Sequence, residues 1–377
     1  MCIRDRVTAL IGGASAFIES TLAQVYKVKD GDNSYKGGPA YYIEQALGSR
    51  KFGIIFAISL ILCFTYGFNG LQAYTLTSVF ETYVGQEAFN NGYITVLIGI
   101  ILALICANFF FGDSKASAKI SSILVPIMAF GYLIVALIVV AMNFSQLHSV
   151  FSNIFTEAFG NITSIFGGIA GSAMVEGIKR GLFSNEAGMG SAPNAAAAAH
   201  TSHPAKQGMV QILSVFIDTL IICSASAFII LCSPSENLEG LKGMAIMQTA
   251  MSGHLGSFGL HFISVAIVLF AFTSIIGNYF YAEFNIKFIT KDKYTLLIFR
   301  ISATLMVFIG SQLSLSLAWD TADVVMGIMA TINIFAMFLL GNIAIKVLRD
   351  YDRQRKEGKN PEFKASSIGI ENTQYWK

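Results

Sequence analysis

Residues 179–204, KRGLFSNEAGMGSAPNAAAAAHTSHP, join two strongly apolar runs of the chain. This segment, called the motif segment below, is rich in glycine and alanine and carries Asn185, Glu186 and Asn194. A regular membrane helix does not need glycines and an acid in this arrangement. Within a membrane, backbone that leaves helical pairing persists only where protein or a water-filled cavity satisfies its polar groups. We therefore interpret the motif segment as part of a pathway or gate for a polar solute.

The composition of the chain is that of a membrane protein. Of its 377 residues, 54% are hydrophobic and 13% are charged, with a mean hydropathy of +0.61, whereas a soluble domain is about a quarter charged. A transmembrane helix needs roughly 20 mostly apolar residues. Nine runs approach this pattern, at residues 7–25, 53–80, 93–111, 118–142, 161–178, 208–232, 258–285, 294–317 and 322–346. The sequence therefore predicts an all-α polytopic membrane protein with a transmembrane domain over residues 7–346.

The two ends of the chain differ from this domain. Residues 1–6, MCIRDR, lack the apolar core and cleavage site of a signal peptide and change abruptly into an apolar run. We expect them to be artefactual and joined to a truncated reading frame. Residues 347–377 are polar and charged, and we expect them to form a cytoplasmic tail.

The basic residues of the loops predict the orientation, because Lys and Arg concentrate in cytoplasmic loops. Loops rich in these residues alternate with loops that have one or none. The basic loops carry Lys27, Lys29, Lys36, Arg50 and Lys51; Lys115 and Lys119; Lys179, Arg180 and Lys206; and Lys287, Lys291 and Lys293. Nine spans would then begin outside and end inside, with the carboxyl terminus in the cytoplasm and the protein in the cell membrane.

Run 161–178 has three glycines near its middle, Gly167, Gly168 and Gly171. In a regular helix each costs about 1 kcal/mol relative to alanine. Two interpretations stay open. The glycines form a small-residue face for close helix packing, or the helix breaks at Gly167 and Gly168. In the second case the half-helix ends would hold a substrate carboxylate and a cation near the bilayer midplane.

Two other runs contain polar residues that suit a binding site. Asn69 and Gln72 are three residues apart and share a helix face, although buried amides also join membrane helices. Thr273, Ser274 and Asn278 lie on neighbouring positions of another run. Hydroxyl and carbonyl oxygens suit a small hard cation such as sodium, but Ser and Thr also bond back to their own helix.

Ionisable residues within membrane runs are costly and are functional candidates by default. For Glu176 and Glu283, near the ends of their runs, an ion pair is an equal alternative. His200 and His203 are spaced as a metal pair, but no third ligand is evident, and we expect them to be solvated in a loop. The acids within or near the runs are Glu19, Glu176, Asp218, Glu283, Asp320 and Asp323.

The strings GLFSNEAGMGSAPNAAAA and YKGGPAYYIEQALG, with the stretch from Phe68 to Ala73, closely resemble the alanine or glycine:cation symporter family, also called the sodium:alanine symporter family. The resemblance implies a LeuT-type fold with two inverted five-helix repeats. In it the nine runs look like the second to tenth core helices, with the first core helix absent.

The resemblance also implies the residues of the site. The break in the sixth core helix falls at Gly167 and Gly168, and Thr273 and Ser274 match sodium ligands. Asn185 and Glu186 then belong to an inner gate and the loop beneath it. The substrate-binding candidates are Phe68, Asn69, Gln72, Phe166, Gly167, Gly168, Gly171 and Asn278. Many members have tryptophan where this chain has Asn278, which predicts a wider and more polar pocket.

The expected function is sodium-coupled symport of a small neutral amino acid by alternating access. Alanine and glycine are the expected substrates, and the wider pocket adds glutamine. A proton-coupled carrier is the alternative, and an ion channel is a weaker one because no filter motif is visible. An enzyme would need a clustered nucleophile or metal set, which the runs do not supply. We expect no cofactor beyond the coupling ion and no nucleic-acid partner; the sequence does not indicate an oligomeric state.

Overall fold

The computed structural model describes residues 2–31, 34–112, 114–159 and 168–376, and these residues are mostly helical. The α-helices are α1 (Cys2–Val25), α2 (Pro39–Leu47), α3 (Arg50–Ile61), α4 (Asn69–Ser78), α5 (Glu81–Val84), α6 (Gln86–Asn90), α7 (Tyr93–Phe111), α8 (Ser114–Met142), α9 (Leu147–Phe159), α10 (Gly168–Asn185), α11 (Ala192–Ala198), α12 (Pro204–Phe216), α13 (Cys223–Leu231), α14 (Met244–Ile289), α15 (Lys293–Gly310) and α16 (Leu315–Lys356). Strands β1 (Val28–Lys29) and β2 (Tyr35–Lys36) pair antiparallel between α1 and α2.

Two π-helical segments interrupt the long helices. Leu62–Phe68 joins α3 to α4, and Ile217–Ile222 joins α12 to α13. The helix α14 also changes direction, since Gly256 has non-helical torsion angles (φ 61°, ψ −146°). In proteins generally, π-helical turns inside α-helices occur frequently at functional sites.

Seven helical stretches among the described residues are long and apolar enough to cross a membrane. They are Arg50–Val84, Tyr93–Phe111, Ile123–Met142, Pro204–Leu231, Met244–Ile289, Lys293–Gly310 and Leu315–Lys356. Each corresponds to one of the nine predicted runs. Run 7–25 folds as part of α1, and run 161–178 lies partly outside the described residues. The prediction of a polytopic helical membrane protein is confirmed, while nine spans and the LeuT-type repeat stay predictions.

Some boundaries differ from the predicted runs. The helix α15 ends at Gly310, and α16 begins at Leu315, where the Ser314 hydroxyl accepts a hydrogen bond from the Leu317 amide. At 42 residues and 1.5 Å per residue, α16 is about 60 Å long and continues beyond residue 346 to Lys356. Its last turns therefore extend past the roughly 30 Å of a bilayer core.

The helix α10 corrects one part of the loop assignment. It continues through Lys179 and Arg180 to Asn185, so these two basic residues are helical and do not belong to a loop. Their side chains pair with Asp323 of α16. The sequence placed Lys179 and Arg180 in a loop from the local pattern of basic residues alone. The Asp323 carboxylate, which pairs with Arg180, is 143 residues away in sequence.

The helices that border the site pack closely together. The helix α1 packs along α12 and also contacts α10, α11 and α16, while α14 packs along α4 and α3. The largest core cluster contains Leu22, Phe64, Phe68, Met189 and Tyr279, which come from α1, the α3–α4 segment, the motif segment and α14. The motif segment is thus part of the core of the bundle.

Candidate functional site

The turn of the motif segment between α10 and α11 is held by one buried carboxylate. Glu19 of α1, with no exposed surface, accepts hydrogen bonds from the backbone amides of Gly188 and Gly190, each at 3.0 Å. The side-chain amide of Asn333 on α16 donates to the same carboxylate at 2.8 Å and to the Gly188 carbonyl at 2.9 Å. The hydroxyl of Tyr42 on α2 donates to the Asn333 side-chain oxygen. The turn is therefore joined to α1, α2 and α16.

The backbone of this turn requires glycine at residue 190. Gly190 has φ 88°, a left-handed conformation that L side chains rarely adopt. A Cβ atom there would lie 2.7 Å from Cζ of Phe56 and 2.8 Å from Cγ of Pro39. The glycine thus permits both the turn and its close approach to α2 and α3.

The predicted gate residues lie at the end of α10. The Asn185 side-chain oxygen accepts from the Ala187 amide, and its nitrogen donates to the Thr219 hydroxyl, both at 3.1 Å. The Glu186 carboxylate accepts from the Ser191 hydroxyl at 2.7 Å. Thr219 belongs to the second π-helical segment, so Asn185 connects the motif segment to the α12–α13 span.

The third polar residue of the motif segment connects it to α14. The Asn194 side-chain nitrogen donates to the carbonyls of Gly190 and Ser191, and its oxygen accepts from Asn285 at 3.1 Å. Both asparagines are buried. The motif segment therefore contacts α1, α14, α16 and the α12–α13 span. A movement of this segment would change its contacts with each of these helices.

The predicted pocket residues Phe68 and Asn69 lie where the first π-helical segment meets α4. Asn69 has no exposed surface, and neither polar atom of its amide has a hydrogen-bond partner among the described residues. The hydroxyl of Thr65, four residues earlier, is also buried without a partner in this part of the structure. An unsatisfied buried polar group costs about 1–3 kcal/mol. These groups are therefore poised to gain from a polar ligand.

An aromatic cluster lies beside these polar groups. The Phe68 ring packs 4.9 Å, between centroids, from the rings of Phe64 and Phe183. Phe183 in turn packs 5.0 Å from Trp319 of α16. Since Phe183 precedes Asn185 by only two residues, the structure brings the predicted pocket and the predicted gate close together.

The remaining candidates are divided between α4, α10 and α14. Gln72 is half-buried on α4, and Asn278 and Thr273 are buried on α14, which packs against α4. The Thr273 hydroxyl donates back to the carbonyls of Leu269 and Phe270, which is the local bonding that the sequence left open as the alternative to a cation site.

The predicted break in run 161–178 falls at the edge of the described residues. The described part of α10 runs from Gly168 to Asn185 and includes Gly171. Phe166 and Gly167 lie outside the described residues, so the break stays a prediction.

One ion pair was missed by the sequence interpretation. Arg180 of α10 contacts Asp323 of α16 at 2.6 Å, and its guanidinium lies 3.9 Å from the centre of the Trp319 ring. Lys179 is 3.3 Å from the same carboxylate. The acids in the runs had marked Asp323 as a candidate, but nothing local in the sequence indicated its partner.

The histidine prediction was wrong for His203. Its ring is fully buried, 3.4 Å from the Asp350 carboxylate and packed against the rings of Tyr351 and Phe363. Burial lowers the pKa of His203 below its usual value of 6.5, although the Asp350 carboxylate opposes this shift. Its ring nitrogen accepts from the Ala205 amide and caps α12. Among the described residues no cluster of metal-ligating side chains is found.

Comparison with known proteins shows the family of the chain. The model of the sodium:alanine symporter family matches residues 6–365. The chain belongs to this family. The resemblance predicted from the motif segment is confirmed, and the family is one of transporters.

Individual relatives match over almost the whole chain. The amino-acid carrier protein AlsT of Bacillus subtilis is 47% identical over 98% of this chain and 78% of its own length. The probable sodium/glutamine symporter GlnT of the same organism is 44% identical, over 95% of this chain and 73% of its own length. The sodium/proton-dependent alanine carrier protein of Bacillus sp. is 35% identical, over 98% of this chain and 85% of its own length.

Proposed function

We propose that this protein is a secondary transporter that moves a small neutral amino acid together with sodium across the cell membrane. Alanine, glycine and glutamine are the proposed substrates. Family membership supports this function, as do the names of relatives that describe alanine and glutamine carriers. The observation that carries it here is the Asn69 amide, which is fully buried in the bundle with both polar atoms unpaired among the described residues.

The chemistry of this pocket suits an amino acid zwitterion. The side-chain oxygen of Asn69 would accept from the substrate ammonium, and the nitrogen would donate to the carboxylate. Thr65 would add a hydroxyl, while Phe68 and Phe183 form an apolar wall that excludes water. In a water-poor site these hydrogen bonds are stronger than in solution.

Other parts of the proposed site come from α4, α10 and α14. At the helix break that the family resemblance implies, Phe166, Gly167, Gly168 and Gly171 would bind the substrate carboxylate, because a helix amino terminus carries partial positive charge. Gln72 and Asn278 would contact the substrate side chain. Thr273 and Ser274 would hold sodium through their hydroxyl oxygens together with backbone carbonyls.

Coupling requires that sodium favour the state that binds substrate, since a ligand shifts an equilibrium only by its differential affinity. We place the carboxyl terminus in the cytoplasm and assign Asn185 and Glu186 to the inner gate. Alternating access in a LeuT-type fold would require the helices that the motif segment joins to move relative to one another.

Uptake of labelled alanine into proteoliposomes tests this function. The expected result is saturable uptake that needs an inward sodium gradient, stops when the gradient is collapsed, and is inhibited by glycine and glutamine. An Asn69→Ala variant should lose uptake, whereas Asn237→Ala, at an exposed asparagine, should retain it. Uptake driven by a proton gradient in the absence of sodium would show that the coupling ion is the proton. Failure to transport any neutral amino acid would overturn the proposal.

A further inference from the structure

The carboxyl-terminal residues 357–376, called the strap below, fold back onto the bundle after α16. Their first attachment is to the loop that precedes α12. The Phe363 amide donates to the Ser202 carbonyl at 3.0 Å, and the Ser202 hydroxyl donates to the Pro361 carbonyl at 2.9 Å. The Lys206 ammonium donates to the Asn360 side chain at 2.8 Å. This end of the strap is therefore fixed to the carboxyl end of the motif segment.

The second attachment is at the end of α1. The indole nitrogen of Trp376 donates to the Gln24 carbonyl at 2.7 Å, and the Trp376 side chain is buried. The ammonium of Lys27, a residue with no exposed surface, lies 4.3, 4.6 and 5.0 Å from the ring centres of Tyr35, Tyr375 and Trp376. A cation over aromatic faces is stabilised by their quadrupoles, more so when desolvated. Two of the three rings around Lys27 belong to the strap.

Gln24 of α1 and Lys27 of the turn that follows α1 also bind the motif segment. The side-chain nitrogen of Gln24 donates to the carbonyls of Ala196 and Ala199, the latter at 2.9 Å. Lys27 donates to the Ala199 carbonyl at 3.2 Å. Gln24 and Lys27 thus contact the end of α11 on one side and the strap on the other. Displacing the strap would hydrate both residues and weaken their hold on α11.

We propose that the strap is a latch, which keeps the motif segment docked on α1 and must release Gln24 and Lys27 before that face of the protein opens. The latch rests on the proposed function, in which the motif segment forms the inner gate. The strap attaches to α1 at one end and to α12 and α16 at the other, so it restrains their relative movement. Rigid-body rearrangement of packed helices requires such interface contacts to break and re-form.

Hydrogen–deuterium exchange of the purified full-length protein in nanodiscs tests the latch. Trp376→Ala removes the ring and the donor, and Lys27→Met removes the cation but keeps an apolar side chain of similar length. In both variants amide exchange in residues 192–203 should rise about tenfold or more, because local opening controls exchange. Gln374→Ala, exposed and two residues before Trp376, is the matched control and should exchange like the wild type.

An increase confined to residues 357–376 would overturn the latch, because the strap would then undock without affecting the motif segment. If Trp376→Ala does not fold, Trp376→Phe and Tyr375→Ala decide the question, because Lys27→Met also removes the direct hydrogen bond from Lys27 to Ala199. Trp376→Phe retains a ring over Lys27 and should show a smaller increase than Trp376→Ala. This measurement does not depend on transport, so a protein without sodium-driven uptake would refute the proposed function separately.

Discussion

Glu19 and Gly190, 171 residues apart in sequence, are joined by a 3.0 Å hydrogen bond from the Gly190 amide to the Glu19 carboxylate. The Gly188 amide donates to the other carboxylate oxygen, at the same distance. Successive backbone amides that converge in a turn form an anion-binding concavity. In this protein a side chain from α1 occupies that concavity, which makes Glu19 a structural anchor of the motif segment.

Glu19→Gln should therefore destabilise the protein although it keeps the size of the side chain. The amide nitrogen of glutamine cannot accept a hydrogen bond, so one of the two glycine amides is left buried and unpaired, at a cost of about 1–3 kcal/mol. The midpoint of thermal unfolding in detergent measures the change. Glu176→Gln is the control, since Glu176 is exposed on α10 and its ion pairs with Lys179 and Arg180 are expected to contribute little. Equal midpoints for the two variants would contradict the anchor.

Gly190→Ala should also destabilise the protein, both through backbone strain and through a steric clash. Comparison with Gly240→Ala separates these two causes. Gly240 has φ 79° with no atom within 4 Å of a Cβ there, so Gly240→Ala adds only the backbone strain of about 1–2 kcal/mol. Gly190→Ala adds the same strain and the clash with Phe56 and Pro39. The unfolding midpoint should fall further for Gly190→Ala than for Gly240→Ala. A similar fall in both would show that the close packing is unimportant.

The sequence was sufficient for features that depend on local pattern. Apolar runs located the seven described stretches that are long and apolar enough to cross a membrane. The motif segment identified the family because its residue types are so specific. The sequence of the motif segment does not indicate that Glu19 holds this turn, because no residue pattern around Glu19 predicts a contact with Gly188 or Gly190.

The missed features all depend on contacts distant in sequence. Arg180 was assigned to a loop from the local pattern of basic residues alone. Its partner, Asp323, belongs to α16. His203 was expected to be solvated because the rings and carboxylate that bury it come from α16 and the strap. Polar and charged residues after 346 predicted a cytoplasmic tail and did not indicate that Phe363 and Trp376 within it are buried. A few aromatic residues were enough to dock a segment of low overall hydropathy.

Acidification should release the strap through His203. Its pKa is lowered by burial, so undocked His203 binds a proton more readily than docked His203. Docking is therefore strongest above pH 6.5, the usual pKa, and weakens as the pH falls through that value. The charged groups close to the ring are Asp350 and Lys206, and the rings of Tyr351 and Phe363 cover it.

The fluorescence of Trp376 measures this release. The chain has two tryptophans, so Trp319→Phe leaves Trp376 as the reporter. Its emission should stay constant above pH 6.5 and shift to longer wavelength as the pH falls below that value toward the lowered pKa of the docked ring. His203→Asn, which keeps a helix-capping acceptor but does not titrate in this range, should remove the shift. A shift that persists in this variant would assign the pH dependence to another group.

Asn278 should decide how large a substrate the pocket accepts. The resemblance to the family places tryptophan at this position in many members, and here the residue is a buried asparagine on α14. Asn278→Trp should therefore weaken inhibition of alanine uptake by glutamine by about tenfold or more, a range typical of steric exclusion from a pocket. Uptake of alanine itself should change much less. The control, Asn237→Trp, introduces the same indole at an exposed turn and should leave both substrates unaffected. If glutamine does not compete in the wild-type protein while alanine is transported, Asn278 does not widen the specificity.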